Sequence, residues 1–477
     1  MIQTTLEKAT LQDAYNLLHE GAIALANAEM QGLRIDIDYV LEQKEKLTQE
    51  IVDIEKKFKV TKFYKDWVKS RNGEEPNYNS NFQLKKYLYE VKGFTPAKYT
   101  DKGKQELKEQ GGSDKGSTDE EALKELGIKE LQHILRIRKL KKIRDTYLEN
   151  IEKETVRGYL HPMYNLHTTR TYRSSSSRIN SQNMPSRDPE SMKIVRSAIY
   201  PRPGHQLMEV DYKSLEVSIS ACIHQDPTML KYLREGGDMH KDIGGEIFKI
   251  EIDKSTKWGS TLRKATKNGF VFPQFYGDYF GNNAIHLCQW IDLPKNKRFR
   301  PGQGIQLEEG TIADHLRENG IKTFQDFVDY LEDMQDDLWG NRFPVYAKWK
   351  EDIWKFYKDN GYIESPTGFR FIGAMRKNDT TNYPIQASAF HVLLRSFIEL
   401  DGIQQQEGWD TKLIGQIHDS IIIDTLPSER DYIIEKVKEV TTKKVPKEWS
   451  WIITPLTVEF EICPVDGSWA EKEELTI

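Results

Sequence analysis

KLIGQIHDSIIIDTL, residues 412–426, carries two β-rich runs, LIGQI and SIIID, on either side of His418-Asp419. Runs of this kind, separated by two residues, predict a strand–turn–strand hairpin with Asp419 at its tip. The tip is unusual, because a tight turn ordinarily takes Gly or Asn. A second stretch, HQLMEVDYKSLEVSISACIH (205–224), predicts a short buried strand through Leu207, Met208 and Val210 that ends at Asp211. A helical pattern begins around Ser214, with Leu215, Ile219, Cys222 and Ile223 on one side. On its own Asp211 has a plain reading, as the cap of that helix. If Asp211 and Asp419 lie side by side, each repels the other's charge, and the pair is stable mainly with one or two Mg²⁺ ions between them. Two bridged ions also suit an in-line phosphoryl transfer, one at the attacking and one at the leaving oxygen. The two segments lie about 200 residues apart, so the sequence leaves their adjacency open.

Between them stands STLRKATKNGFVFPQFYGDYF (260–280). Arg263 and Lys267 are four apart, on one helical face, where two cations repel unless an anion is present. A triphosphate would supply that anion. Phe272 and Tyr276 are also four apart and could stack on a base, or could be ordinary core aromatics. Further back, KELQHILRIRKLKKIRDTYL (129–148) holds seven Lys/Arg from Lys129 to Arg144, with Leu131, Ile134, Leu135, Ile137, Leu140 and Ile143 as its apolar side. Read alone this is a solvated face, and the sharper reading is a helix laid along a phosphate backbone. TRTYRSSSSR (169–178) reads as a flexible linker or as a phosphate-contacting loop.

The remainder of the 477 residues bounds these readings. The chain carries 69 Lys+Arg against 74 Asp+Glu, so any basic surface must be local. With 38% apolar residues, 22 Tyr, 19 Phe and 10 Trp, it can bury a large core, which excludes wholesale disorder. No run approaches the roughly 18 apolar residues of a membrane span, and the start lacks a secretory signal pattern. Cys222, Cys288 and Cys463 are far apart with no CxxC pair, which argues against a disulfide framework or structural zinc and fits a reducing cytoplasm. Helices are expected over 12–31 and, after a turn at Gly32, along Ile37, Val40, Leu47, Ile51, Ile54 and Phe58. The polar, Gly/Lys-rich stretch at 96–117 reads as a mobile tip or long loop.

Taken together and in order, these segments resemble the family A DNA polymerases. DYKSLEVSI (211–219) is similar to that family's motif A, DYSQIELRI. R-xxx-K…F-xxx-YG (263–277) resembles motif B, and QIHDSIII (416–423) is similar to motif C, QVHDELV. GLRIDIDYVLEQ (32–43), NYNSNFQLKKYLYEVKG (77–93) and GSTDEEALKEL (116–126) resemble its thumb sequence. TYRSSSSRINSQNMP (171–185), DMHKDIGGEIF (238–248), the segment 343–370, NYPIQASAF (382–390) and GSWAE (467–471) are similar to further stretches of the same family, in the same order. The matches extend over nearly the whole chain, and their order makes chance a poor explanation.

The resemblance implies an α+β right-hand polymerase fold with an antiparallel palm sheet and mostly helical fingers and thumb. The expected division is 1–160 for an N-terminal palm-edge helix and thumb, 161–228 for palm, 229–355 for fingers and 356–477 for palm. It implies a nucleotidyltransferase that extends a DNA primer with dNTPs on a template. Asp211 and Asp419 would bind two Mg²⁺ ions, with Mn²⁺ as a substitute, helped by the Tyr212 carbonyl. Arg263, Lys267 and His240 would hold the β- and γ-phosphates. Glu216 would gate against a ribose 2′-OH, with Phe272 and Tyr276 beside the incoming nucleotide. Arg173, Gln182, Asn183, Asn382, Gln386 and His418 would contact primer–template, joined by Lys139, Lys141 and Lys142 through phosphates. A monomer is expected, with no membrane partner, in a bacterial or phage-infected cytoplasm; a phage or prophage source is a guess from the compact, exonuclease-free plan. With thumb-like sequence starting within about 30 residues of Met1, no proofreading exonuclease domain is expected ahead of it.

Two departures from the family pattern stand out. Lys267 to Tyr276 is nine residues rather than eight, an insertion containing Pro273, so Lys264/Asn268 compete with Arg263/Lys267 for the phosphate register. Ser420 stands where motif C usually has glutamate. The 65 residues between Gly277 and Phe343 exceed the family norm and read as a surface elaboration at about 278–342, or as a docking site for a replication protein. Single-subunit RNA polymerase, reverse transcriptase and inactive DNA-binding scaffold are the alternative functions.

Overall fold

The structure is a computed structural model that describes residues 9–96, 98–100 and 116–475; most of the stretch expected to be a mobile tip lies outside these residues. Its centre is a five-stranded antiparallel sheet in the order Glu473–Glu474, Val458–Ile462, Gln206–Tyr212, Ser420–Thr425, Lys412–Ile417. The hairpin forms as its pattern predicts, with Ile417 opposite Ser420 and the His418-Asp419 pair as the tip. The Asp211 strand runs one residue beyond its expected end, to Tyr212, and occupies the middle of the sheet.

Both faces of this sheet are covered, which explains the continuous apolar runs in place of strict alternation. Successive side chains still point to opposite sides. Met208, Val210, Ile421 and Ile423 pack into one core with Leu17 and Leu25 of the helix Leu11–Gln31 and Leu393 and Phe397 of the 31-residue helix Lys377–Glu407. Leu207, Ile414 and Ile422 pack into a second core with Ile51 and Phe58 of the helix Ile37–Lys59 and Leu140 of the helix Leu131–Lys141. The helices Leu11–Gln31 and Lys377–Glu407 meet closely at Gly21, where an added Cβ would come within 2.8 Å of the Leu394 side chain. Gly32 makes the turn between Leu11–Gln31 and the following strand at φ +69°, with His161 so near that a side chain would collide. Asp36 begins the helix Ile37–Lys59 as its cap, its Oδ1 accepting from the Tyr39 amide at 2.9 Å.

Two expectations are corrected here. The serine run is no flexible linker: Ser175–Ser177 pairs with Met163–Asn165, and Ser174 and Ser176 are buried. The 278–342 segment is no surface elaboration either. Its helices Phe280–Trp290, Ile312–Glu318 and Phe324–Asp337 bury Leu287, Ile291, Leu316, Phe327 and Leu331 in the same core as Phe270 and Phe275 of the motif-B region. An apolar face at helical spacing that meets another element's apolar face is core, wherever the chain inserts it.

Candidate active site

The sheet register brings the two aspartates together. Ser420 is the cross-strand partner of Asp211, and its Oγ donates to Asp211 Oδ1 at 3.1 Å. Asp419 is the next residue back along the hairpin, and its carbonyl accepts from the Tyr212 amide at 3.3 Å. His418 takes a left-handed conformation, φ +51°, so the two-residue tip closes without Gly or Asn. The tip is braced from below: Ser174 Oγ donates to Gln416 Oε1 at 2.6 Å, and Gln182 Nε2 donates to the same oxygen at 2.8 Å.

Asp211 and Asp419 line a cleft of about 250 Å³ with Tyr212, Glu216, Lys267, Phe272, Tyr276, Tyr346 and Asn382. Burial pushes the Asp211 carboxyl up to about 6; the Ser420 hydrogen bond opposes this, and the charges of Asp419, Glu209 and Glu459 add to it. Burial also raises Asp419, against the nearby Arg173 and His418. Asp419 Oδ1 is buried without a hydrogen-bond partner, since Arg173 Nη2 stays 3.6 Å away. Two adjacent carboxylates that resist ionisation, one with an orphaned oxygen, fit a divalent cation. Among the described residues no cluster of three His, Cys, Asp or Glu side chains could hold a metal by itself. Mg²⁺ needs only one or two protein carboxylates and fills the rest of its shell with water and substrate phosphate.

Glu216 projects into the cleft from the first turn of the helix Leu215–His224. Arg173 Nη1 donates to its Oε1 at 3.2 Å, and the Tyr276 hydroxyl donates to Oε2. The Tyr212 hydroxyl is buried against Ser396 Oγ at 2.7 Å, so only the backbone of this residue could serve a bound ion.

The extra motif-B residue is absorbed as a π turn. The helix Lys257–Thr266 widens over Lys267–Val271 and resumes at Phe272–Phe275, with Pro273 in the first turn of the resumed helix. The bulge lies between Lys267 and Phe272, so both still line the cleft, and the Lys267 ammonium sits 5.2 Å from the Phe272 ring. Lys264 and Asn268 are exposed and do not line the cleft, and Asn268 Nδ2 donates to the Lys264 main-chain carbonyl at 3.0 Å. Arg263 is engaged by Asp238, with Nε 2.8 Å from Oδ2. His240 packs edge-on to Phe272 at 5.5 Å, and burial, with Arg263 and Lys267 nearby, lowers its pKa to about 4. With no phosphate beside it, its imidazole is therefore neutral at neutral pH.

The DNA-contact candidates divide. Arg173 and Asn382 stand at the cleft, with Asn382 Nδ2 3.4 Å from the Tyr276 carbonyl, and Gln386 follows one turn along the same long helix. Asn183 is exposed. Gln182 turns inward, 9% exposed, with its amide spent on Ser174 and Gln416, so its place is under the hairpin tip. The basic helix also departs from expectation. Lys139 pairs with Asp188 and Glu190, each at 2.8 Å, and Lys141 with Glu55 at 3.2 Å. Lys142 is exposed, over the Tyr147 ring at 5.8 Å. The cations of Lys139 and Lys141 are taken up by carboxylates 49 and 86 positions away, a pairing that helical spacing could not reveal.

Three participants carried little local signal. Gln416 and Tyr346 gave none beyond their residue types. Gln274 is a polar residue inside the apolar run FVFPQF, and that mismatch was its one clue.

In comparison with known proteins, the family described as DNA polymerase family A matches residues 38–295. DNA polymerase I of Geobacillus stearothermophilus is 24% identical over 445 residues, covering 92% of this chain and 44% of that protein. DNA polymerase I of Aquifex aeolicus is 27% identical over 348 residues, covering 72% and 52%, and the DNA polymerase of Bacillus phage SP01 is 24% identical over 405 residues, covering 80% and 38%. The chain thus spans about half the length, or less, of the curated relatives it matches. A solved structure of the POL domain of Pol1 from M. smegmatis, in complex with DNA primer-template and dNTP, superposes with a TM-score of 0.71 at 20% identity, covering 95% of this chain and 70% of that one. The likeness shows a shared fold, the α+β right-hand architecture that the sequence resemblance implied.

Proposed function

The chain belongs to DNA polymerase family A, and from that premise we propose that it adds dNTPs to a primer 3′ end under template direction. The observation that carries the reading is the juxtaposition of Asp211 and Asp419 at the floor of a cleft whose wall presents Lys267, Phe272 and Tyr276. Asp211, Asp419 and the Tyr212 carbonyl would hold two Mg²⁺ ions, or Mn²⁺ in their place. Such ions, when bound, neutralise charge on the attacking and leaving oxygens. Lys267 and Arg263 would neutralise the leaving pyrophosphate, and Arg263 would exchange part of its bond with Asp238 for phosphate. Glu216, held between Arg173 and Tyr276, leaves a packed wall where a 2′-OH would stand.

In this reading the five-stranded sheet is the palm, built from 161–228 and 356–477. The helices of 229–355 are the fingers, and 1–160 supplies a palm-edge helix and the thumb, whose apolar face joins the second core. The duplex would run past Arg173, Asn183, Asn382, Gln386 and His418. Replication partners are DNA and dNTPs. Among the described residues no helix is long and apolar enough to cross a membrane.

Primer extension with Mg²⁺ and either dNTPs or rNTPs, beside an Asp419→Ala control, tests the proposal. Extension with dNTPs alone, abolished in the control, is the expected outcome. Extension with both nucleotide classes would remove Glu216 as a sugar gate. Tight primer–template binding without extension would favour an inactive scaffold.

A further inference from the structure

Gln274 lies between Phe272 and Tyr276, the two aromatic residues that line the cleft, yet it points the other way and is 1% exposed. All its side-chain polar atoms are engaged. Nε2 donates to Asn283 Oδ1 at 2.6 Å and to Gln335 Oε1 at 2.8 Å. Oε1 accepts from Trp339 Nε1 at 2.8 Å. The amide orientation is dictated by chemistry, because an indole N–H can only donate and so must face the oxygen. The Gln274 main-chain carbonyl accepts from Lys350 Nζ at 3.2 Å, and that nitrogen lies 3.6 Å from the Trp339 ring and 4.7 Å from the Tyr346 ring. Gln335 Oε1 also accepts from the Phe280 amide at 3.0 Å. Asn283, Gln335 and Trp339 all belong to the 278–342 segment.

The location has a physical logic. One extra residue in an α-helix turns everything beyond it by about 100°. The π turn at Lys267–Val271 absorbs that rotation, and such turns inside α-helices are frequent at functional sites. The hub grips the chain immediately after it. The Gln274 amide is fully satisfied, although Asn283 Nδ2 in the same hub is buried without a partner, and any other orientation of Gln274 would leave further buried groups unpaired.

We propose that the 278–342 segment positions the nucleotide-binding face of the fingers, with Gln274 as the positioning residue, locking the turn that carries Phe272 and Tyr276 into the register the incoming dNTP meets. Gln274 touches neither substrate nor metal; it acts through Tyr276, whose hydroxyl reaches Glu216. This inference rests on the reading of the cleft as the nucleotide site.

The test uses the full chain, a dideoxy-terminated primer–template and the matching dNTP, comparing wild type with Gln274→Met and Trp339→Phe. Gln274→Met keeps the volume and removes the side-chain bonds of Gln274; Trp339→Phe keeps an aromatic ring near Lys350, removes the N–H and shrinks the side chain. For both variants the dNTP Kd, and the dNTP KM on an extendable primer, should rise about tenfold while primer–template Kd stays within about twofold, as expected when a binding face shifts by a fraction of an ångström. Discrimination against rNTPs should fall in parallel. If Gln274→Met folds poorly, Trp339→Phe alone carries the comparison. A lowered Tm with unchanged dNTP Kd would overturn the inference and leave the hub a purely structural feature. Wild type that binds no dNTP at all would overturn the reading of the cleft, and the inference with it.

Discussion

The basic helix at 131–148 and the carboxylate pair at the sheet treat charge in opposite ways. In the helix, Arg136 meets both Glu50 and Glu190 at 2.6 Å, Lys139 meets Asp188 and Glu190, and Lys141 meets Glu55. Two of those acids are held low: Arg136, with Lys139, holds Glu190 down to about 2, and Lys139, with Ser191, does the same for Asp188. At the sheet, burial pushes Asp211 up to about 6, and Asp419 keeps an oxygen without a hydrogen bond. Charge that the protein satisfies from within holds the protein together. Charge left uncompensated in a buried place costs stability and stands ready for a ligand.

That contrast can be broken at several points. Lys267→Met should slow dNTP addition by about 10²–10³-fold in single-turnover extension, the range seen when one preorganised charge partner is removed. Lys139→Met, a cation already neutralised, should leave the rate within about twofold; equal losses in both would erase the distinction.

Next in size is the stability of the metal-free protein. A carboxyl raised in the folded state contributes stability that is present below its unfolded pKa near 3.8 and lost as pH rises through about 6. Asp211→Asn should therefore match wild type near pH 4 and exceed it at pH 8 by up to about 3 kcal/mol, two pKa units at about 1.4 kcal/mol each. Denaturant titration without Mg²⁺ measures this. Added Mg²⁺ should stabilise wild type more than the variant.

Arg136→Ala leaves Glu50 and Glu190 facing each other and should lower stability by about 1 kcal/mol, discounted because all three side chains are about a third exposed. The smallest effect concerns DNA. Lys142→Ala should reduce the log–log salt slope of primer–template binding by about one unit, the share of one phosphate contact. Lys139→Ala and Lys141→Ala should not change it, and a change there would show that DNA displaces the internal ion pairs.

Much of this architecture was legible in the order of residues. The hairpin, the Asp211 strand and the helix Ile37–Lys59 follow from periodicity, which local sequence encodes directly. The kinds of residue at the site were legible as well, because Asp211, Glu216, Lys267, Tyr276 and Asp419 stand at recognisable spacings. Other features depended on partners far along the chain. The sequence could not bring Asp211 within reach of Asp419, 208 positions away; strand register did that. Nor could it assign Lys139 and Lys141 to carboxylates, turn Gln182 inward, or reveal that the 278–342 segment is core and grips Gln274. Sequence alone determined which elements form and which chemical groups they carry, because short-range sterics and hydrophobic spacing act within a few residues. Tertiary structure decided which of those groups are neutralised and which remain available to a ligand, because Coulomb and hydrogen-bond partners are set by distance in space.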